Sequence, residues 1–464
     1  MTSTTTKSGG ALASQALPPA TGTFRIGAGA GFAGDRYEPA ELLAQYGDLD
    51  ALAFECLAER TIGVAQQSVL DDHSAGFDSR IVRRLAGVLP HLLPGRAVIT
   101  TNAGAANPTA AARAIVEMMR EVGLGSTPVA AVSGDDVLDR LDLREARVWG
   151  SDDTLWDLRD RIISANAYVG SAPIIQALSE GARIVITGRC ADASLFVAPL
   201  AHHFGWDLRN LDIAAEASLV GHLLECAGQL TGGYFADTRR KKVDGLWNLG
   251  FPYADVAAQG IATYSKLPGT GGLIDRQTVL EQLLYEIDDP RDYKTPDVNL
   301  DLSSVNIKPL GANVVQVSGA RAAGVPEQLK VSVGVRDGFL AIAEISYSGT
   351  DCVQRAQLAA QIVQERWEAI HRFDSSKLEH TLVGVNASRP WWTGAPEPAE
   401  VRLRLSTRTF DRQIAVVLCH EVEALYTNGP YGGGGVVTSI RETTGIISTL
   451  VPRDVVSTSV QVFQ

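Results

Sequence analysis

Long apolar runs are missing from this sequence. Nowhere do about 18 apolar residues stand together, the length a helix needs to span a bilayer, so no membrane span is expected. Cysteine is scarce and scattered. Cys56, Cys190, Cys226, Cys352 and Cys419 are odd in number and form no CxxC pair, which argues against a zinc knuckle or a disulfide framework. Such usage fits a reducing compartment, so a cytoplasmic protein is expected. Positive charge is also in deficit: 41 Lys and Arg stand against 53 Asp and Glu, a net charge of −12. A nucleic-acid partner needs a basic face, and none is expected here. A local cluster of N–H groups could still hold an anionic ligand. The GxSxG elbow, HExxH, the kinase motifs and the EF-hand loop are all absent.

The chain that remains has 464 residues, 45% of them apolar and 20% charged, which is ordinary for a globular protein of two or three domains. Residues 1–22 read as a disordered tail without the apolar segment of a signal peptide. From 23 to 290, short apolar runs alternate with helical patterns. Asn107 and Pro108 open one such helix, and Gly123 follows its end. This βα alternation predicts an α/β domain with a mainly parallel, doubly wound, Rossmann-like sheet, whose ligands gather beyond the carboxyl ends of the strands. The segment PRDYKTPDVNLD reads as a linker. From 300 to 464, apolar and polar residues alternate with period two in KVSVGV, FLAIAEISYS, EHTLVGV, VRLRLSTRT and IAVVLCHEVEALY. That pattern predicts an α+β domain with an antiparallel sheet. One helix interrupts it, with Val353, Ala356, Ala360, Val363, Trp367 and Ile370 forming its core stripe.

Polar motifs fall where strands are predicted to end. In GAGAGFAGDR, Gly29, Gly31 and Gly34 satisfy GxGxxG after a strand. The motif permits a nicotinamide or flavin site, but the next helix opens near Pro39, so a tight loop lining another ligand fits as well. Glu55 ends a buried strand and is a candidate general base, or a satisfied structural acid. In TTNAGAANP, Asn107 reads as a cap and Asn102 as a candidate oxyanion donor. The acids Asp135 and Asp136 read as helix caps or as ligands of a metal or of hydroxyl groups; the metal requirement stays open. In TGRCADAS, Arg189 offers a fork for an anion, and Asp192 either caps the next helix or pairs with Arg189. His222, Glu225 and Cys226 share one helix face, as an acid–base pair, an activated thiolate or a structural cluster. Lys266 and Gly271, in KLPGTGG, suggest an anion nest or a plain loop. Gly433 and Gly434 lie in the loop 429–435, whose glycine run costs conformational entropy and suggests a lid or a close approach of ligand or backbone.

Taken together, RIGAGAGFAGDR, FECLAERT, TNAGAANP, SGDD, TGRCADASL, GHLLEC, TGGYFAD, KLPGTGGLI and LYTNGPYGGGG resemble the acyclic terpene utilisation (AtuA) family, in matching order and over residues 24–437. The resemblance implies a place in the breakdown of acyclic terpenes through acyl-CoA thioesters. It carries over no catalytic residues. Many relatives bear a small ferredoxin-like domain at the C-terminus or work beside a separate chain of that kind. This chain ends at Gln464 without room for one, so a ferredoxin-like partner chain or a homo-oligomer is expected.

The expectation is then a lyase or hydratase acting on a branched acyl-CoA or related carboxylate. Glu55 or His222 would move the proton and Asn102 would stabilise an enolate. Arg189, Asp192, Lys266, Gly271 and the glycines 29, 31, 34, 433 and 434 would bind substrate. The cofactor stays open, with none beyond the CoA of such a substrate as one alternative. An NAD(P)- or flavin-dependent oxidoreductase and a non-catalytic acyl-CoA-binding or scaffolding subunit are the alternatives.

Overall fold

A computed structural model describes residues 13–125, 127–388 and 398–464. Contacts divide the chain into two units. One runs up to Gly334 and includes Ile446–Gln464; the other is Val335–Gly445. The sequence reading places the change of character near 290–300 instead. Of the segment read as a disordered tail, residues 1–12 lie outside the described residues. Ala13 and Ala16, by contrast, are buried, and the Ser14 and Ala16 N–H groups donate to the carbonyls of Pro268 and Tyr46.

Five parallel strands form the centre of the first unit. They are β1 (Thr23–Ala30), β2 (Ala51–Phe54), β3 (Val98–Thr101), β4 (Val129–Ser133) and, after β5 (Ile162–Ala167), β6 (Ile184–Thr187). They lie in the order β1-β2-β3-β6-β4. Every residue of β2 and β6 is buried, so both faces of this part of the sheet are covered. The helices are α1 (Glu38–Tyr46), α2 (Glu59–Asp71), α3 (Arg80–Leu92), α4 (Pro108–Glu121), α5 (Ala172–Ser179), α6 (Ser194–Phe204), α7 (Leu211–Leu224) and α8 (Arg276–Leu283). Helices α1, α3 and α4 pack as one group, and α5, α6 and α7 as another. Helix α4 shows how the sequence sets the bounds. Asn107 accepts from the Ala110 N–H, Pro108 occupies the first turn, and Ala111, Ala112, Ile115, Val116 and Met119 form the buried stripe.

The sheet is mixed, not mainly parallel. Strands β7 (Pro252–Ala257) and β8 (Ala262–Lys266) are joined by four residues, too few for a parallel crossover, and add antiparallel beside β1. The expected linker instead contains β9 (Tyr293–Lys294) and β10 (Asn299–Asp301). Next come β11 (Asn306–Gly311) and β12 (Val314–Ser318), a hairpin that extends the large sheet beyond β8. Strand β13 (Arg321–Gly324) joins β10 and β9 in a small antiparallel sheet.

Strand β14 (Gln328–Ser348) carries the chain from the first unit into the second. There it pairs antiparallel with β16 (Glu400–Thr409), which pairs antiparallel with β15 (Leu378–Val383). Helix α9 (Cys352–Ala369) is the expected one: Ala356, Ala360, Val363 and Trp367 are buried, while Ile370 at its end is exposed. The segment IAVVLCHEVEALY, expected as a strand, is helix α10 (Arg412–Asn428). Its buried residues Ala415, Leu418, Val422 and Leu425 are spaced 3-4-3, and Asp411 caps it by accepting from the Gln413 N–H, so the helical period overrides the β-branched composition. Strand β17 (Gly434–Pro452) returns to the first unit. There β18 (Ser459–Phe463) pairs antiparallel with β4. No helix among the described residues is long and apolar enough to cross a membrane.

Candidate functional site

Parallel strands end together at one edge of the sheet, and a cavity of about 1080 Å³ opens there. Strand β2 delivers Glu55, β3 delivers Asn102, and the turn after β6 delivers Arg189 and Asp192. Helix α7 brings His222, followed at its end by Glu225. All of these but Asn102 line the cavity, and Asn102 lies directly behind them.

Glu55 Oε1 accepts two hydrogen bonds, from the Leu57 N–H at 2.7 Å and from Asn102 Nδ2 at 3.0 Å. Its second oxygen takes no part in either. Asn102 is itself fixed, because its Oδ1 accepts from the Cys56 N–H at 2.6 Å and its Nδ2 also reaches Asp192 Oδ1 at 3.4 Å. With its amide so committed, Asn102 orients Glu55 and does not serve as the free oxyanion donor expected from sequence. Burial and then the Asp192 charge push the Glu55 carboxyl up to about 8, against the pull of Arg189, so at neutral pH it holds its proton.

Arg189 pairs with Asp192, and its Nη1 donates to the Leu57 carbonyl. Its Nε donates to the Cys190 carbonyl at 2.8 Å, and the guanidinium lies over the Tyr168 ring. The Arg189 N–H donates to Asp135, which also accepts from Asn166 Nδ2. Burial pushes the Asp135 carboxyl up to about 6. Asp192 therefore pairs with Arg189 and does not cap α6, whose N-cap is Ala193. Asp136 holds the Leu138 N–H in a turn. Glu59 binds both the Tyr168 hydroxyl and Lys330 at the cavity wall.

The His222 ring is 2% exposed, and both its nitrogens are engaged. Nε2 lies 3.1 Å from the Leu283 carbonyl, which can only accept, so Nε2 carries a hydrogen. Nδ1 lies 3.0 Å from Glu225 Oε1. One proton then sits between ring and carboxyl, on either partner. Burial works against the imidazolium, but the bond and charge of Glu225 outweigh it and raise the histidine. Burial raises Glu225 as well, with His222 opposing. Both members of the pair line the cavity, and Glu225, which feels the Asp192 charge, is the more exposed of the two. The spacing in HLLEC points to the pair but does not say which member faces outward. Cys226 is no thiolate, because burial and Glu225 push its thiol up.

Most of the glycines pack closely against the chain itself. A Cβ on Gly29 would lie 2.4 Å from the Phe54 ring, and one on Gly34 would lie 2.5 Å from the Phe32 ring. Helix α1 opens at Glu38, outside the glycine run, so the loop lacks the dinucleotide arrangement. Gly31 lines the cavity, where a Cβ would meet the Cys226 backbone at 2.5 Å. Gly31→Ala is expected to destabilise the protein by about 1–3 kcal/mol through this overpacking, read as a drop in Tm. Lys266 donates from Nζ to the Thr270 carbonyl at 2.7 Å, and Gly271 packs against the Gly245 backbone, so the expected anion nest is filled by the chain itself. Gly433 and Gly434 belong to the second unit, where Gly433 packs on Ile345 and Tyr347; the cavity is lined from the first unit.

A comparison with protein families matches residues 24–462 to the acyclic terpene utilisation family protein AtuA. The chain belongs to the AtuA family. Curated proteins and solved structures gave no match. In this AtuA-family chain the matched span includes every strand that supplies the cavity. Sequence reading did not single out Glu59, Tyr168, Tyr285, Glu286, Tyr293 or Lys330 as cavity residues. Only Glu59 has a local signal, as the acid opening α2 just after Glu55. Among the described residues, no group of three or more His, Cys, Asp and Glu side chains is arranged to hold a metal ion.

Proposed function

We propose that this chain is an acid–base enzyme of the lyase or hydratase type, acting on a branched acyl-CoA. Family membership suggests a role in acyclic terpene utilisation. The observation that carries the chemistry is a pair of carboxyl groups, Glu55 buried and Glu225 partly buried, that line one cavity in different protonation settings. Glu55 holds a proton at neutral pH, while Glu225 leans on a histidine that shares its proton. Two carboxyls set apart in this way divide the labour of an acid and a base.

In dehydration of a 3-hydroxyacyl thioester, Glu225 takes the proton from the α-carbon and Glu55 protonates the departing β-hydroxyl, which leaves as water. Hydration runs the same steps in reverse. Asn102 and Arg189 are positioning residues: one orients Glu55, the other holds Asp192. Phe32, Tyr168, Tyr293 and Phe251 give the branched chain apolar surface.

The test is exchange. Incubation of a branched 3-hydroxyacyl-CoA with the protein in ¹⁸O-labelled water is expected to place label in the β-hydroxyl. Glu225→Gln is expected to lower that rate by about 10²-fold or more, since general acid–base groups contribute on that scale. Label uptake at the wild-type rate in both Glu55→Gln and Glu225→Gln would sink the assignment.

A further inference from the structure

The cavity floor carries three carboxyl groups, and the cations around it are already engaged. Arg189 places four hydrogen bonds on Cys190, Leu57 and Asp192. Lys330 is held by Glu59, Lys294 by Asp292, and Arg36 by the Leu246 and Trp247 carbonyls. Each carboxyl of the floor is also compensated. Glu55 sits against Asn102, Asp192 against Arg189, and Glu225 shares one proton with His222. An anion placed beside Glu55, Asp192 and Glu225 would find Arg189 already paired with Asp192 and those three carboxyl groups for neighbours. The mouth adds to this. Phe32, Trp149 and Tyr234 line the cavity and are exposed by 57%, 54% and 86%, a surface suited to an apolar chain.

We infer that the site takes the reacting end of its substrate only as an uncharged group, a thioester or an alcohol, and turns away the corresponding free carboxylate. The inference rests on the same cavity as the hydratase reading, but it concerns charge selection and is tested by binding alone. Besides Tyr234 at the mouth, the charged and titratable groups that line the cavity are Glu55 at the end of β2, Arg189 and Asp192 from the turn after β6, His222 of α7 with Glu225 and Cys226 after it, Tyr285 and Glu286 from beyond α8, Tyr293 and Lys294 of β9, Tyr168 after β5, Lys330 of β14, Glu59 of α2, and Asp35 and Arg36 after β1.

The experiment is calorimetric titration of the full chain with a methyl-branched medium-chain carboxylic acid, its primary alcohol and its N-acetylcysteamine thioester, from about pH 5.5 to about pH 7.5. A simple carboxylic acid titrates at about 4 to 5, so its neutral fraction falls about tenfold per pH unit across this window. Its Kd is expected to weaken in step, by about 100-fold over the range, while alcohol and thioester change by less than about threefold. Asp192→Asn, shown to be folded by near-UV circular dichroism, leaves Arg189 with uncompensated charge and is expected to bind the acid at pH 7.5 at least about tenfold more tightly than wild type. A flat Kd for the acid, no gain in folded Asp192→Asn, or no binding of any of the three compounds overturns the inference. If the acid shows the slope but no thioester turns over, the hydratase reading fails alone. Turnover with a flat acid Kd sinks the charge selection alone.

Discussion

Glu55→Gln is expected to lower turnover by about 10²–10⁴-fold, the range over which a general acid contributes. Gln offers an oxygen that accepts from the Leu57 N–H and Asn102 Nδ2, as Glu55 does, so the loss is chemical and not structural. The pH profile carries the second half of the prediction. In the proposed reaction the carboxyl acts protonated, so wild-type activity is expected to fall as pH rises through about 8, and the residual activity of Glu55→Gln should lack that alkaline limb. Stability follows the same group. Its folded-state pKa is raised, so its contribution is fully present below the ordinary Glu value and is lost as pH climbs towards about 8. Glu55→Gln should remove that slope, on the order of a few kcal/mol between pH 5 and pH 8, seen as a Tm that varies less with pH. An unchanged alkaline limb in the variant would remove Glu55 from the chemistry.

Arg189→Met carries the largest expected cost in stability. The guanidinium is 1% exposed, and removing it leaves the Asp192 charge without its partner and takes the donors from the Leu57 and Cys190 carbonyls. Breaking a buried pair from one side costs about 3–5 kcal/mol. Asp192 faces the cavity and is 36% exposed, which places the expected loss near the lower end. Chemical denaturation should show it as a fall in midpoint with an unchanged m-value. If the folded fraction retains activity, its alkaline limb should move to higher pH. Arg189 holds the Glu55 carboxyl down, and without it Asp192 pushes up unopposed. A variant as stable as wild type would mean that the ion pair contributes nothing net.

Much of the site could be read from one rule: polar residues at the carboxyl ends of parallel strands meet in space. Glu55, Asn102 and Arg189 each follow an apolar run of β-type composition, and the structure brings all three to one edge. What stayed hidden depends on strand order and on residues distant in sequence. Strand β6 lies between β3 and β4, and no local pattern states that. Tyr168 and Lys330 meet because the strands that precede and contain them, β5 and β14, pair. The duty of a glycine is hidden for a physical reason. Gly29 and Gly31 permit close packing, and the sequence cannot say whether the neighbour is a phosphate or, as here, the Phe54 ring and the Cys226 backbone. In the second unit, IAVVLCHEVEALY satisfies both periods over short windows, and only the longer 3-4-3 stripe decides for the helix.

The first unit is split in sequence, and β18 comes after the whole of the second unit. During synthesis, β4 is made more than 300 residues before its antiparallel partner. Until Ser459–Phe463 leaves the ribosome, that side of the large sheet presents an open row of backbone donors and acceptors, the kind of edge on which nascent chains aggregate. Five residues placed late in the chain therefore set the moment at which the unit bearing the cavity can close its sheet.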